Sequence, residues 1–167
     1  HLLEGSRVEF VATATIGIDH LDTEWLDEAG IHWVNCPGCN ASSVGQYVET
    51  SLMRLGITSG AVVGIVGCGH VGKEVEIVCE RLGLKTIIND PYIDDHSYVS
   101  LEEVVKHADV ITFHVPLTYK GEYPTYKMAD RRFFDMLSDR ERPLECIINT
   151  CRGGVIGGLA LHSAMDA

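Results

Sequence analysis

The densest concentration of potential chemistry lies at Gly67-Cys68-Gly69-His70-Val71-Gly72, a G-x-G-x-x-G motif. Alone the pattern is weak, but its surroundings are specific. The apolar run Val62-Val63-Gly64-Ile65-Val66 precedes it, as in a strand buried on both faces. Val71, Val75, Val78 and Leu82 follow at helical spacing, with Lys73, Glu74, Glu76 and Glu80 on the opposite side. Between a strand and a helix, Gly67 permits a tight turn, Gly69 lets a pyrophosphate approach, and Gly72 lets helix and strand pack closely. The amides of His70 and Val71 then face the phosphates from the positive end of the helix dipole. Asp90 stands 90 − 72 = 18 residues past the last glycine. A carboxylate there accepts hydrogen bonds from ribose hydroxyls and repels a 2′-phosphate, which favours NAD over NADP. The competing reading is a flavodoxin-like sheet whose glycines serve packing alone.

A second group is Asn149-Thr150-Cys151-Arg152-Gly153-Gly154, just beyond the apolar Cys146-Ile147-Ile148. Ligands of open α/β sheets bind outside the carboxyl ends of the strands. An arginine there could grip a carboxylate in a bidentate fork and polarise a neighbouring carbonyl. The plainer reading is a surface arginine beside flexible glycines. His114-Val115-Pro116-Leu117-Thr118 should line the same crevice. His114 could touch a cofactor, or be a hydrogen-bonded histidine at a strand end. For proton transfer the second reading is preferred, because no residue in the sequence orients it. Residues 120–126 read as a surface excursion with packing tyrosines.

Six cysteines complete the inventory: Cys36, Cys39, Cys68, Cys79, Cys146 and Cys151. Four lie in or beside apolar runs, where free cysteine behaves as a small hydrophobe. Cys36-Pro37-Gly38-Cys39 is a lone C-x-x-C. Zinc would need two more ligands, and no second C-x-x-C or H-x-x-x-H exists, so no metal site is expected. A turn that happens to carry two thiols is preferred over a redox pair.

These groups must be positioned by regular elements. Val8 to Ala12 and Ile31 to Asn35 read as strands flanking a helix at Thr23 to Ala29, with Asp22 as N-cap and Gly30 as stop. Val44, Val48, Leu52 and Leu55 mark a further helical stripe. Beyond it, strands are expected at 62–66, 86–88, 110–113 and 146–148, a capping box at Ser100 and Glu103, and a helix at 159–165. Strands alternating with helices imply an α/β fold, a Rossmann-type doubly wound parallel sheet. The expected division is residues 1–57, part of a second, flavodoxin-like α/β substrate domain with a linking helix, and residues 58–167, a cofactor domain.

Composition sets outer limits. The chain has 167 residues, 13 Lys and Arg against 24 Asp and Glu, and a net charge of −11. Nucleic acid and anionic membrane surfaces are therefore not expected partners. No apolar run approaches the roughly 18 residues of a membrane span. The first residues lack a basic segment followed by a long apolar one, so a secretory leader is not expected, and cytoplasmic reduced thiols are.

The chain resembles the D-2-hydroxyacid dehydrogenases. The resemblance runs over nearly its whole length and rests on residues 10–20, Pro37-Gly38-Cys39-Asn40-Ala41, the glycine loop with Asp90-Pro91, Thr112 to Leu117, and Asn149 to Gly153. Thr13-Ala14-Thr15 and the Pro-Gly-Cys-Asn-Ala turn point to the branch that oxidises the 2-hydroxyl of 4-phospho-D-erythronate in vitamin B6 synthesis. The resemblance implies a substrate domain built from both chain ends around an inserted NAD domain, in a cytoplasmic homodimer. It also implies that Arg152 is the catalytic arginine holding the substrate carboxylate and that Thr15 binds substrate. Gly67, Gly69, His70, Val71, Gly72, Asp90, His114, Val115, Thr150, Cys151 and Arg152 would line the cofactor. The family's Glu–His acid–base pair is expected downstream of Ala167. The stretches 55–60 and 92–99 are short for the family, and Gln46 stands where Glu is common. Alternatives are a phosphoglycerate or hydroxypyruvate/glyoxylate enzyme of the same family, or a non-catalytic NAD-binding module with a redox-responsive Cys36 and Cys39.

Overall fold

The computed structural model describes residues 1–166 and divides into two compact units, 1–41 and 42–167. In the first, β1 (Phe10–Ala12) and β2 (His32–Val34) pair in parallel, Phe10 opposite His32. Between them runs α1 (Thr23–Glu28). Asp22 caps α1 by accepting the Trp25 N–H at 3.1 Å, and Gly30 ends it with φ of 69°, as the sequence predicts. Both strands are shorter than the expected runs. Val8 lies outside the ladder and is exposed.

The second unit contains α2 (Ala41–Arg54), β3 (Val62–Val66), α3 (His70–Arg81), β4 (Lys85–Asn89), α4 (Leu101–His107), β5 (Val110–Phe113), α5 (Arg131–Ser138), β6 (Cys146–Asn149), a 3-10 turn at Gly153–Val155, and α6 (Gly158–Met165). Its four strands are parallel, in the order β4-β3-β5-β6. The chain passes outward from β3 to β4 and then returns to β5 on the other side of β3. That reversal opens a crevice at the carboxyl ends of β3 and β5.

Alternate side chains of the sheet feed two cores. On one face Val63, Ile65 and Ile148 pack with Val48 and Leu52 of α2 and with Val75 and Cys79 of α3. On the other, Val66, Ile111 and Phe113 pack with Val104 of α4 and Phe133 of α5. A sheet covered on both faces buries its central strands, all of β5 and all of β3 but the half-buried Val62, which is why both read as nearly continuous apolar runs. Each such valine or isoleucine contributes about 1.5–3 kcal/mol on burial.

The contacts divide the chain after residue 41, and Val48 and Leu52 of α2 are fully buried in the sheet's core. Three expectations change. Leu55 does not continue their stripe, since it follows the helix end and is exposed. The capping box is half made: Ser100 Oγ accepts the Glu103 N–H at 3.2 Å, but the Glu103 carboxylate lies 3.1 Å from His107 Nε2 instead. Helix α5 has no counterpart among the expected elements. Its two buried aromatics, Phe133 and Phe134, are adjacent rather than helically spaced, and tertiary contact with Phe113 (ring centroids 5.8 Å from Phe133) holds it.

Candidate functional site

The glycine loop bends at the carboxyl end of β3. Gly67 adopts φ of +90°, and its N–H is held by Asn89 O at 2.8 Å. A Cβ on Gly67 would lie 2.7 Å from Val115 Cγ1 and 2.9 Å from the His114 backbone, and one on Gly72 would collide with Gly67 O. The protein's own packing therefore demands glycine at both positions. Gly69 differs, because a Cβ there would meet no protein atom within 4 Å. Its missing side chain clears space that the chain does not fill. The first amides of α3, those of His70, Val71 and Gly72, have no partner inside the helix, and they follow directly on Gly69. His70 is exposed at the helix start, Val71 is half-buried against the α2–α3 core, and Gly72 is buried.

Asp90 divides its carboxylate between two backbone groups. Oδ2 accepts the Cys68 N–H at 2.8 Å and Oδ1 the Tyr92 N–H at 3.1 Å. It thereby ties the glycine loop to the segment leaving β4. Each oxygen keeps a second lone pair for a ligand hydroxyl.

Gly67, Gly69, Asp90, His114 and Val115 line one cleft of about 790 Å³. Asp95, Glu102 and Glu122 line it too, and this acidic rim is hostile to an added phosphate on the ribose. Residues 118–126 form one side of the cleft. That excursion is clasped at its base by Thr118 and Thr125, each backbone N–H donating to the other's hydroxyl at 2.8 and 3.1 Å. It also reaches the β4 side, where the Tyr123 N–H meets the Tyr92 hydroxyl at 3.3 Å and the two rings stand edge to face.

His114 sits in a hydrogen-bond chain that one assignment of protons satisfies throughout. Thr150 Oγ1 donates to Phe113 O at 3.2 Å, so it must accept from His114 Nδ1 at 2.7 Å. The His114 Nε2 lone pair is then left for the Thr112 hydroxyl at 2.9 Å. The ring is neutral with its proton on Nδ1, and burial pushes its pKa down to about 4. Such a histidine positions Thr150 and the turn after β6 without serving as a base.

That turn is built by Asn149. Its Oδ1 accepts the Cys151 N–H at 3.0 Å, and its Nδ2 donates to Arg152 O at 3.1 Å. The Cys151 Sγ also lies 3.0 Å from Oδ1, and burial raises that thiol's pKa. Arg152 is half-buried, with Nη1 donating to Cys151 O at 3.4 Å. The sequence reading names Asn149 and Thr112 within their segments but gives neither of them, nor Tyr92, a role of its own. Only Asn149 leaves a local trace, an asparagine opening a turn right after a strand.

Thr15 belongs to the first unit. Its hydroxyl donates to Gly17 O at 2.8 Å, so it accepts from Thr13 Oγ1, also at 2.8 Å, and Thr13 in turn accepts from His20 Nε2 at 3.1 Å. Among the described residues no three His, Cys, Asp or Glu side chains form a group that could hold a metal, and no helix is long and apolar enough to cross a membrane.

The features that fit a dinucleotide are the space beside Gly69, the amides opening α3 and the lone pairs of Asp90. The NAD-binding domain of the D-isomer specific 2-hydroxyacid dehydrogenases matches residues 40–167. Over 99% of its length the chain is 44% identical to erythronate-4-phosphate dehydrogenase of Bacteroides thetaiotaomicron and covers 49% of that protein. It is 41% identical to the Escherichia coli O9:H4 protein of the same name over 99% of its length, covering 45% of it. The chain thus spans about half the length of the curated relatives it matches. Among solved structures, NAD+-bound 3-phosphoglycerate dehydrogenase of Entamoeba histolytica superposes with a TM-score of 0.77 at 27% identity, covering 96% of this chain and 54% of that one. The cleft, the glycine loop and the β6 turn thus sit in a known setting: the chain belongs to the D-isomer specific 2-hydroxyacid dehydrogenase family, and residues 40–167 are its NAD-binding domain.

Proposed function

We propose that the whole protein oxidises the C2 hydroxyl of 4-phospho-D-erythronate to the 2-oxo acid with NAD as acceptor, in vitamin B6 synthesis. The observation that carries this reading is the 44% identity to an erythronate-4-phosphate dehydrogenase across 99% of the chain. The local geometry supports it. The amides opening α3 would hold the pyrophosphate, and the free lone pairs of Asp90 would accept from the adenosine ribose. NAD, when bound, supplies the hydride acceptor. Arg152, carried on the turn that Asn149 braces, would clamp the substrate carboxylate and draw charge from the reacting carbon. His114, Val115, Thr150 and Cys151 shape the wall beside it. The assignment of Thr15 to substrate rests on the family resemblance. With its proton committed to Gly17 O, Thr15 would accept a hydrogen bond from a substrate hydroxyl. On the same reading the enzyme is cytoplasmic and a homodimer, and sedimentation of the whole protein checks the dimer.

Steady-state kinetics on the whole protein test the substrate. Turnover of 4-phospho-D-erythronate with a kcat/KM well above that for D-erythronate, D-3-phosphoglycerate and D-glycerate supports the reading. Preference for a substrate without the 4-phosphate, or for D-3-phosphoglycerate, removes it.

A further inference from the structure

The Cys36-Pro37-Gly38-Cys39 segment takes no part in the chemistry above. Pro37 and Gly38 dictate its shape. Proline presets φ for the second residue of a turn, and Gly38 supplies φ of 81° at the third, the pattern of a type II turn. The Cys39 N–H closes it on Cys36 O at 3.2 Å. A closed turn of four residues holds its end Cα atoms within about 7 Å, and disulfides span roughly 4.4–6.8 Å between Cα atoms. Both residues are exposed and unbridged.

The other four cysteines are kept from such chemistry. Cys68 and Cys79 are buried, and burial pushes the Cys79 thiol up to about 12. Cys146 and Cys151 are half-buried with their thiols also raised. The thiolate is the reacting form, so the sites that exchange are the exposed ones.

We propose that Cys36 and Cys39 are a reversibly oxidised dithiol that closes to a disulfide by exchange with a low-molecular-weight disulfide. The Cys36 thiolate attacks one sulfur of glutathione disulfide, forming a mixed disulfide and releasing one glutathione thiolate. Cys39 loses its proton to solvent and attacks the Cys36 sulfur, expelling the second glutathione. The protein gives up two electrons and two protons, and one disulfide becomes two thiols. Local desolvation, and then the neighbouring Cys36, hold the Cys39 thiol above its ordinary value. Exchange is therefore slow, over minutes to hours, unlike that of a thiol activated at a helix start.

The test incubates the reduced whole protein with excess glutathione disulfide, followed by intact-mass measurement and peptide mapping after alkylation. The expected result is loss of two of the six free thiols, a Cys36–Cys39 linked peptide, and full recovery with dithiothreitol. Cys36→Ser and Cys39→Ser, each checked for an unchanged melting temperature, should retain one stable glutathione adduct on the remaining thiol. A stable adduct on the unaltered protein without the internal bond overturns the proposal. So does absence of reaction at both residues, or a bond from either to another cysteine.

Discussion

The Oδ2 atom of Asp90 accepts the backbone N–H of Cys68 at 2.8 Å, so the acid expected to meet a ribose also holds the glycine loop in place. Two substitutions separate these duties. Asp90→Ala leaves the Cys68 amide without its acceptor and should cost about 1–3 kcal/mol of stability. Asp90→Asn keeps an acceptor oxygen for the Cys68 N–H but turns its own N–H toward the Tyr92 N–H, and should lose less stability than Asp90→Ala. Both should bind NAD about tenfold or more weakly, since each alters the ribose contact. Discrimination against NADP should relax only in part, because Asp95, Glu102 and Glu122 also line the cleft. Calorimetric titration with NAD and NADP, beside thermal melts, reads both effects. Unchanged NAD affinity in either variant would refute the ribose role.

Gly69 and Gly72 make a similar pair. Gly72→Ala drives a methyl into Gly67 O, so α3 must shift off β3 and the melting temperature should fall by several degrees. Gly69→Ala meets no protein atom, so stability should hold while NAD affinity drops by tenfold or more. Parallel melts and titrations distinguish them. A Gly69→Ala protein with parental NAD affinity would mean that the space beside Gly69 is not used by the cofactor.

Much of this was legible in the chain. β3 and α3 announce themselves because a strand buried on both faces must be apolar throughout, and a helix covering it must be apolar at helical spacing. Asp90 is legible from its distance to the glycines. The Thr112–His114–Thr150 chain is not, because its members come from two strands, and only the β5–β6 register, which sets Phe113 beside Asn149, brings Thr150 to His114. Helix α5 was hidden for a related reason. Its stability comes from Phe133 and Phe134 meeting the sheet, which no local spacing records. The half-made capping box shows the converse: a local pattern suited Glu103 to one partner, and His107 four residues on took it.

Arg152 depends on Asn149, whose amide braces the turn on both sides. Arg152→Lys replaces a planar fork by a point charge and should cut kcat by tenfold or more with NAD binding little changed. Asn149→Asp keeps the acceptor for Cys151 N–H but loses the donor to Arg152 O, and should lower kcat less severely. Asn149→Ala loses both bonds and should combine lower kcat with lower stability. Stopped-flow turnover and melting curves on the whole protein check the order. Parental turnover in Arg152→Lys would remove the arginine from the chemistry.

His114 gives a pH signature with a definite sign. In the fold its pKa lies near 4, whereas an exposed histidine titrates near 6.5. Above about 6.5 both folded and unfolded chains carry a neutral ring, and this residue contributes no pH dependence. As pH falls from about 6.5 toward 4 the unfolded chain takes up a proton that the folded chain refuses, so stability declines. Below about 4 both forms are protonated and its contribution levels off. The decline attributable to His114 should reach about 3 kcal/mol. His114→Gln cannot titrate, and its amide can still donate or accept toward the flanking threonines. It should be less stable than the parent at pH 7, where the parent's hydrogen-bond chain is complete, and should lose that share of the slope between pH 6.5 and 4. Denaturant unfolding of both proteins at several pH values measures the difference. Parallel stability curves for the two would show that the His114 pKa is not lowered by folding, so that the ring takes up its proton in the fold near pH 6.5 and Nε2 then donates to Thr112.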